Sequence, residues 1–171
     1  NTRYSFYSYE RSGEMLLHIP QNLIYNKTEV LLSSGNDTIG TWQGIPGKKI
    51  IRIPFHLNPG PDKYMVVADI KVSGTNARYI STADLTVLEY KSNEVKTDRL
   101  TGGLIVNRRP FFPFGFYSYY PVHPTLPEEE AVKGFNMISP YQRILPETLP
   151  ERKAYMDRCA ELGMKVNYNV L

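Results

Sequence analysis

Phe111-Phe112-Pro113-Phe114-Gly115-Phe116-Tyr117 is the most informative stretch of this 171-residue chain, because nothing charged interrupts it. A strand that is apolar on both faces is expected to be covered on both sides, as in a parallel sheet. An internal repeat lies downstream of it. Thr125-Leu126-Pro127-Glu128 and Thr148-Leu149-Pro150-Glu151 are the same four residues. Each predicts a capping box, in which the Thr hydroxyl bonds the amide three residues on and the Glu bonds back. Pro falls in the first turn, where its missing N–H costs nothing. Helices are therefore expected from Leu126 to near Gly134 and from Leu149 to near Gly163, each glycine a left-handed C-cap. In the second, Tyr155, Cys159 and Leu162 form a core-facing stripe opposite Glu151, Arg158 and Glu161. Strands are expected after each glycine, at Asn136–Ser139 and Lys165–Val170. Strand, helix, strand, helix, strand makes parallel βαβ units, which build an open doubly wound sheet or a closed eight-fold barrel. No G-x-G-x-x-G follows the first strand, which disfavours a dinucleotide site and leaves the barrel as the better architecture. A (β/α)8 barrel takes about 200 to 250 residues. This one is expected to be cut after its third strand.

Upstream, the period changes to two. Ile51, Ile53, Phe55 and Leu57 alternate with Arg52, Pro54 and His56. Tyr64, Val66, Ala68, Ile70 and Val72 alternate with a mostly polar set. Met15, Leu17 and Ile19 do the same, as do Ala83, Leu85 and Val87. Each predicts a half-buried strand. Turn clusters at Ser33–Asp37, Gly44–Gly47 and Asn58–Asp62 punctuate them. Several short strands with no helical stretch predict an antiparallel β-sandwich of Ig or jelly-roll size over residues 1–98, with the barrel portion at 99–171.

Composition excludes several classes. With 42% hydrophobic and 22% charged residues the chain is globular rather than disordered. Its apolar runs are too short for a membrane helix. The formal charge is +3 with scattered Lys and Arg, so no basic cluster points to nucleic acid. One cysteine excludes a disulfide framework and a Cys-rich zinc module. The chain opens on Asn1 with no charged-then-apolar leader and closes on an apolar run, which suggests a fragment.

The run from Thr97 to Tyr117, TDRLTGGLIVNRRPFFPFGFY, resembles the junction of glycoside hydrolases of the β-galactosidase and β-glucuronidase kind, where a "V-N-G-K-P-F-F-x-x-G" segment opens the barrel. Lys133-Gly134-Phe135-Asn136-Met137-Ile138 is similar to their second strand. Glu151–Val166, ERKAYMDRCAELGMKV, is similar to their "D-x-C-D-E-L-G-L-x-V" helix and third strand. The pattern departs at Arg108, where a turn glycine is common. It also departs after the second strand, where "R-x-x-H-Y-P" is replaced by Ser139-Pro140-Tyr141-Gln142-Arg143. The resemblance covers residues 97–171 and implies the N-terminal part of a hydrolase of O-glycosidic bonds in oligo- or polysaccharides. It also implies export to the periplasm, the cell surface or the medium. A competing reading is a non-catalytic carbohydrate-binding or cell-surface interaction module.

Glycoside cleavage normally needs two carboxylates at barrel strand ends. Here Glu128, Glu129, Glu130, Glu151, Asp157 and Glu161 fall on the expected helices, as solvated faces or caps, and Glu147 lies in a loop. The resemblance implies that the acid/base and the nucleophile follow the fourth and seventh strands. No catalytic residue is therefore assigned to this chain, which is expected to be inactive alone. Its strand ends carry Tyr117, Ser118, Tyr119 and Tyr120, then Ser139, Tyr141 and Gln142, then Asn167 and Asn169. Aromatic faces stack on sugar C–H surfaces and amides pair with hydroxyls. Tyr117, Tyr119, Tyr141, Gln142, Asn167 and Asn169 are the substrate-binding candidates, set against the plainer reading that the tyrosines cover loop hydrophobics. His18, His56 and His123 have no metal-ligand spacing, Cys159 belongs to a core stripe, and Trp42 is a sandwich tryptophan before it is a sugar platform. No cofactor or metal is expected. The expected partners are a carbohydrate and, through the uncovered 111–117 and 165–171 strands, a second copy or the missing barrel part.

Overall fold

The computed structural model describes residues 1–56, 60–92, 94–118, 125–140 and 144–167, the side chains of 116 and 118 excepted. They fall into two compact units, Asn1–Phe111 and Phe112–Leu171.

The first unit contains β1 (Ser12–His18), β2 (Thr28–Ser34), β3 (Asp37–Gly44), β4 (Ile50–His56), β5 (Asp62–Val72), β6 (Arg78–Val87), β7 (Val95–Asp98), β8 (Gly103–Val106) and β9 (Arg109–Phe111). β1 pairs with β4, β3-β2-β5-β6 form a four-stranded sheet, and β7-β8-β9 a three-stranded one, all antiparallel. Alternation does the sorting. Val66, Ala68, Ile70 and Val72 of β5 are buried, and so are Ile51, Ile53 and Phe55 of β4. The first three of β5 meet those of β4, together with Met15, Leu17, Val30, Leu32 and Leu85, in one core between the β1–β4 pair and the four-stranded sheet. That is the sandwich arrangement, one face of each sheet inward. Gly40 of β3 lies so close to the Pro54 carbonyl that a Cβ there would collide with it. Trp42 packs partly buried against the same core, as a sandwich tryptophan.

The segment 1–10 stitches the sheets together. Thr2 bridges to Met15, Tyr4 to Asp98 and Tyr7 to Val87. Tyr7 is fully buried, its ring edge-on to Phe55 at 5.9 Å. Ion pairs close over this arm. Arg3 grips Asp98 at 2.8 Å and Glu14 at 2.7 Å, while the buried Lys96 meets Glu10 at 2.6 Å and Glu94 at 3.1 Å.

Two expectations for this half need correction, and two strands go beyond what alternation predicts. The first unit runs through Phe111, past the boundary expected at 98, because β8 and β9 bond back to β7 rather than opening the second unit. β2 and β3 are strands that alternation does not predict, since Gly40 and Gly44 and an outward-facing Leu31 blur their pattern. Leu16, expected on the wet face of β1, is buried. Leu57 lies outside the described residues.

The second unit is β10 (Gly115–Ser118), α1 (Leu126–Val132), β11 (Met137–Pro140), α2 (Leu149–Glu161) and β12 (Lys165–Val166). The three strands are parallel and lie in the order β10-β11-β12. Both helices end as expected. Gly134 and Gly163 have φ of 85° and 74°. The amides of Phe135 and Met164 reach back to the carbonyls of Glu130 and Cys159, and those of Gly134 and Gly163 to Ala131 and Ala160. These are Schellman closures.

The helices begin at Leu126 and Leu149 as expected, but without the expected capping bonds. Thr125 and Thr148 sit in helical conformation and neither makes the forward capping bond. Thr148 ends a single 3-10 turn at 146–148, and its hydroxyl turns back to donate to the Leu145 carbonyl at 2.9 Å. Glu128 pairs instead with Arg158.

The strand expected at 111–117 also changes. Phe111 belongs to β9, Phe112 is 79% exposed and Phe114 51% exposed, so these are not a doubly covered strand. Pro113 has no amide to offer a ladder, and after Phe111 regular pairing resumes at Gly115. The Asn136 side chain takes over there: its Nδ2 donates to the Phe112 carbonyl at 3.0 Å and its Oδ1 accepts from the Phe114 amide at 2.7 Å.

Candidate functional site

Ile138 of β11 is fully buried and packs with Tyr155, Cys159 and Met164, with Val166 and Leu162 against them. The helix layer therefore covers the face that carries Ile138 and its β12 partner Val166. Side chains alternate along strands, so the residues before and after Ile138 belong to the opposite face. Parallel register places Tyr117 of β10 beside Ser139 of β11. Asn167 continues β12 at the same level: its amide donates to the Ile138 carbonyl at 2.9 Å, and Ser139 Oγ donates to the Asn167 carbonyl at 3.0 Å. Tyr117, Ser139 and Asn167 thus form one row across the carboxyl ends of three adjacent parallel strands, on the face away from α1 and α2.

Two positions build that row from below. A Cβ on Gly115 would collide with the Met137 carbonyl, so only glycine lets β10 enter against β11. Asn136 fixes the approach of residues 112–114, and the Phe114 and Phe135 rings stack beside it with centroids 4.8 Å apart. Ser139 is buried, while Tyr117 and Asn167 are exposed. The row offers a phenol, a hydroxyl and an amide, none of them charged.

Of the six substrate-binding candidates, the structure brings Tyr117 and Asn167 together, on either side of Ser139. Tyr119, Tyr141, Gln142 and Asn169 lie outside the described residues, as does His123. Asn136 is a positioning residue that sequence reasoning missed. Its signal is present in sequence, an amide two residues after the C-cap glycine and downstream of a proline-broken strand, but only the fold brings it to Phe112 and Phe114.

The acids fall where no strand end can use them. Glu128, Glu129, Glu130, Glu151, Asp157 and Glu161 are helical and Glu147 lies in the 3-10 turn. One is not a solvated face as expected: Glu130 is 4% exposed and bonded to Lys133 at 2.9 Å. Arg158, donating to Glu128, holds that carboxyl below its usual range. Burial pushes the Cys159 thiol up to about 11, with the Glu128 charge adding to it, which fits an inert core cysteine. Among the described residues no cluster of His, Cys, Asp and Glu could hold a metal, and no helix is long and apolar enough to cross a membrane.

No family model and no curated protein matches this chain. Solved structures with some likeness include β-glucuronidases. One from Parabacteroides merdae is 14% identical, with a TM-score of 0.37 over 96% of this chain and 22% of that one. An uncultured Clostridium sp. β-glucuronidase is 12% identical, with a TM-score of 0.38 over 99% and 29%. That of Bacteroides uniformis is 14% identical, with a TM-score of 0.32 over 96% and 22%. The chain therefore spans less than a third of the length of these proteins.

Proposed function

We propose that this chain is the N-terminal part of a glycoside hydrolase of O-linked sugars: a sandwich followed by the first three strands of a (β/α)8 barrel, with the catalytic carboxylates beyond Leu171. The observation that carries the reading is the row Tyr117, Ser139 and Asn167 at the carboxyl ends of β10, β11 and β12. Ligands of parallel α/β folds bind at those ends. An aromatic face with a hydroxyl and an amide is a sugar-binding palette rather than an anion- or metal-binding one. The row binds; it does not cleave. The sequence of the segments leaving those strands, 119–124, 141–143 and 168–171, contains no Asp or Glu. Without two carboxylates across a glycosidic bond there is neither proton donor nor nucleophile.

Sequencing the gene past codon 171 tests the reading. The expected result is an open frame of several hundred codons with carboxylates ending two later strands. A stop directly after Leu171 would overturn it in favour of a sugar-binding module. The 171-residue chain itself should hydrolyse no aryl glycoside, and turnover lost on replacing one of its own acids would be equally damaging.

A further inference from the structure

The four-stranded sheet of the first unit has unequal edges. At one, β3 lies against β4, with Gly40 close on the Pro54 carbonyl. At the other, β6 has β5 on one side and, among the described residues, no strand on the other. The arm covers only its carboxyl end. There the Tyr7 amide donates to the Thr86 carbonyl at 2.9 Å, the Leu88 amide to the Tyr7 carbonyl at 2.8 Å, and Thr2 Oγ to the Asp84 carbonyl at 3.4 Å. Backbone direction alternates along a strand, and the Ala77 carbonyl turns inward to accept from the Val72 amide. Arg78, Ile80 and Thr82 therefore aim their N–H and C=O groups away from β5, an open template for another strand.

No proline, lysine or bulge interrupts β6, which keeps one register on β5 from Arg78 to Val87. Its side chains are exposed from Arg78 to Thr82, Ile80 at 59%. The pattern of this edge is self-complementary. A twofold axis through Ser81 sets Ile80 opposite Thr82 of a second copy and Arg78 opposite its Asp84, all on one face. On the other face Tyr79 meets the small Ala83, and the two Ser81 side chains meet at the axis. Asp84 is exposed and, among the described residues, has no cationic partner. Arg78 binds Asp69 through Nε and Nη2, which leaves Nη1 for a second carboxylate. Moving the axis to Ile80 or to Thr82 loses the match, because Arg78 then faces Thr82 or Thr86.

We propose that β6 is a self-pairing edge: two copies of this chain join antiparallel through Arg78–Thr82, with Ser81 on the twofold axis, and merge their four-stranded sheets into one. Ile80 and Thr82 exchange both backbone hydrogen bonds with Thr82 and Ile80 of the second copy, and Arg78–Asp84 pairs close the two ends. This surface belongs to the first unit and is independent of the glycosidase reading, which rests on the second.

Sedimentation equilibrium of the 171-residue chain between about 1 µM and 1 mM should show a reversible monomer–dimer equilibrium. Ile80→Lys, at an exposed side chain, brings two ammonium groups together across the axis and should weaken the dimer by about tenfold or more. Ser81→Cys should close into a disulfide-linked dimer under mild oxidation, since residues facing each other in a non-hydrogen-bonded pair have Cα atoms about 4.5 Å apart. Tyr79→Cys, which faces Ala83 of the second copy, should not, and the buried Cys159 stays reduced in both. A monomer throughout the concentration range overturns the proposal. Association that Ile80→Lys leaves unchanged overturns it too, since the contact would then lie on another surface such as the 115–118 strand. So does a disulfide yield no higher at Ser81 than at Tyr79.

Discussion

In the first unit, strands from two sheets close on one core, and the arm at residues 1–10 is pinned by Arg3–Asp98, Arg3–Glu14 and Lys96–Glu10 pairs. In the second, the described residues place a buried cluster, Ile138, Tyr155, Cys159 and Met164, on one face of three short parallel strands, and the other face carries Tyr117, the buried Ser139 and Asn167. Antiparallel sheets tolerate one wet face, while parallel sheets are normally covered on both. The two units therefore have different needs. The first packs its strands against one another in one core, whereas the second carries a polar row on the face away from its helices.

Removing Lys96 should break the first unit most severely. Lys96→Ala leaves Glu10 and Glu94 facing each other in a buried site, a loss of about 3 to 5 kcal/mol. Urea denaturation followed by the single tryptophan, Trp42, reads this unit alone. Ile138→Ala should do comparable harm to the second unit, about 2 to 5 kcal/mol by cavity formation. Hydrogen exchange should then speed up at β10–β12 and stay unchanged at β2 and β5. Uniform acceleration across both would show that the units are not separate.

Asn136→Ala removes two bonds to the 112–114 segment and should cost about 1 to 3 kcal/mol, with faster exchange at the Phe114 amide. Acid should separate the units more gently. Burial opposes ionisation of Glu10, yet bonds from Lys96 and the Ser8 amide outweigh it and hold the carboxyl below its ordinary 4.5. Arg3 holds Asp98 below 3.8. Depressed carboxylates contribute stability above their unfolded pKa values that is lost as pH falls through the folded ones. The Trp42 urea midpoint should therefore stay level from pH 7 to about 5 and drop below about 4. Lys96→Met should blunt the part of that drop due to Glu10.

Legibility follows the physics of each element. The strands of β4 and β5 and the C-caps at Gly134 and Gly163 are readable because alternation and a left-handed glycine are local signals. β2 and β3 are not: an outward-facing Leu31 blurs the alternation of β2, and glycines interrupt that of β3, where Gly40 lies against the Pro54 carbonyl. Thr125 and Thr148 announce helices correctly but for the wrong bond: the turn before α2 puts Thr148 in helical conformation and aims its hydroxyl backward. Phe112 and Phe114 suggest a buried strand, yet the prolines around them leave no ladder, and an asparagine side chain stands in for it. At the site, Tyr117 and Asn167 are foreseeable as strand-end residues. That they share a row with Ser139 is a matter of register, which no local pattern encodes.

If this chain supplies sugar-binding strand ends to a glycosidase whose acids lie further along, Asn167 should matter to turnover. Aryl-glycoside hydrolysis by the complete gene product, wild type against Asn167→Ala, puts that to the proof. The wild type should hydrolyse, and the variant should lose about tenfold or more in kcat/KM with folding unchanged. A complete, folded product that hydrolyses no glycoside, or one whose turnover ignores Asn167, would contradict the proposal.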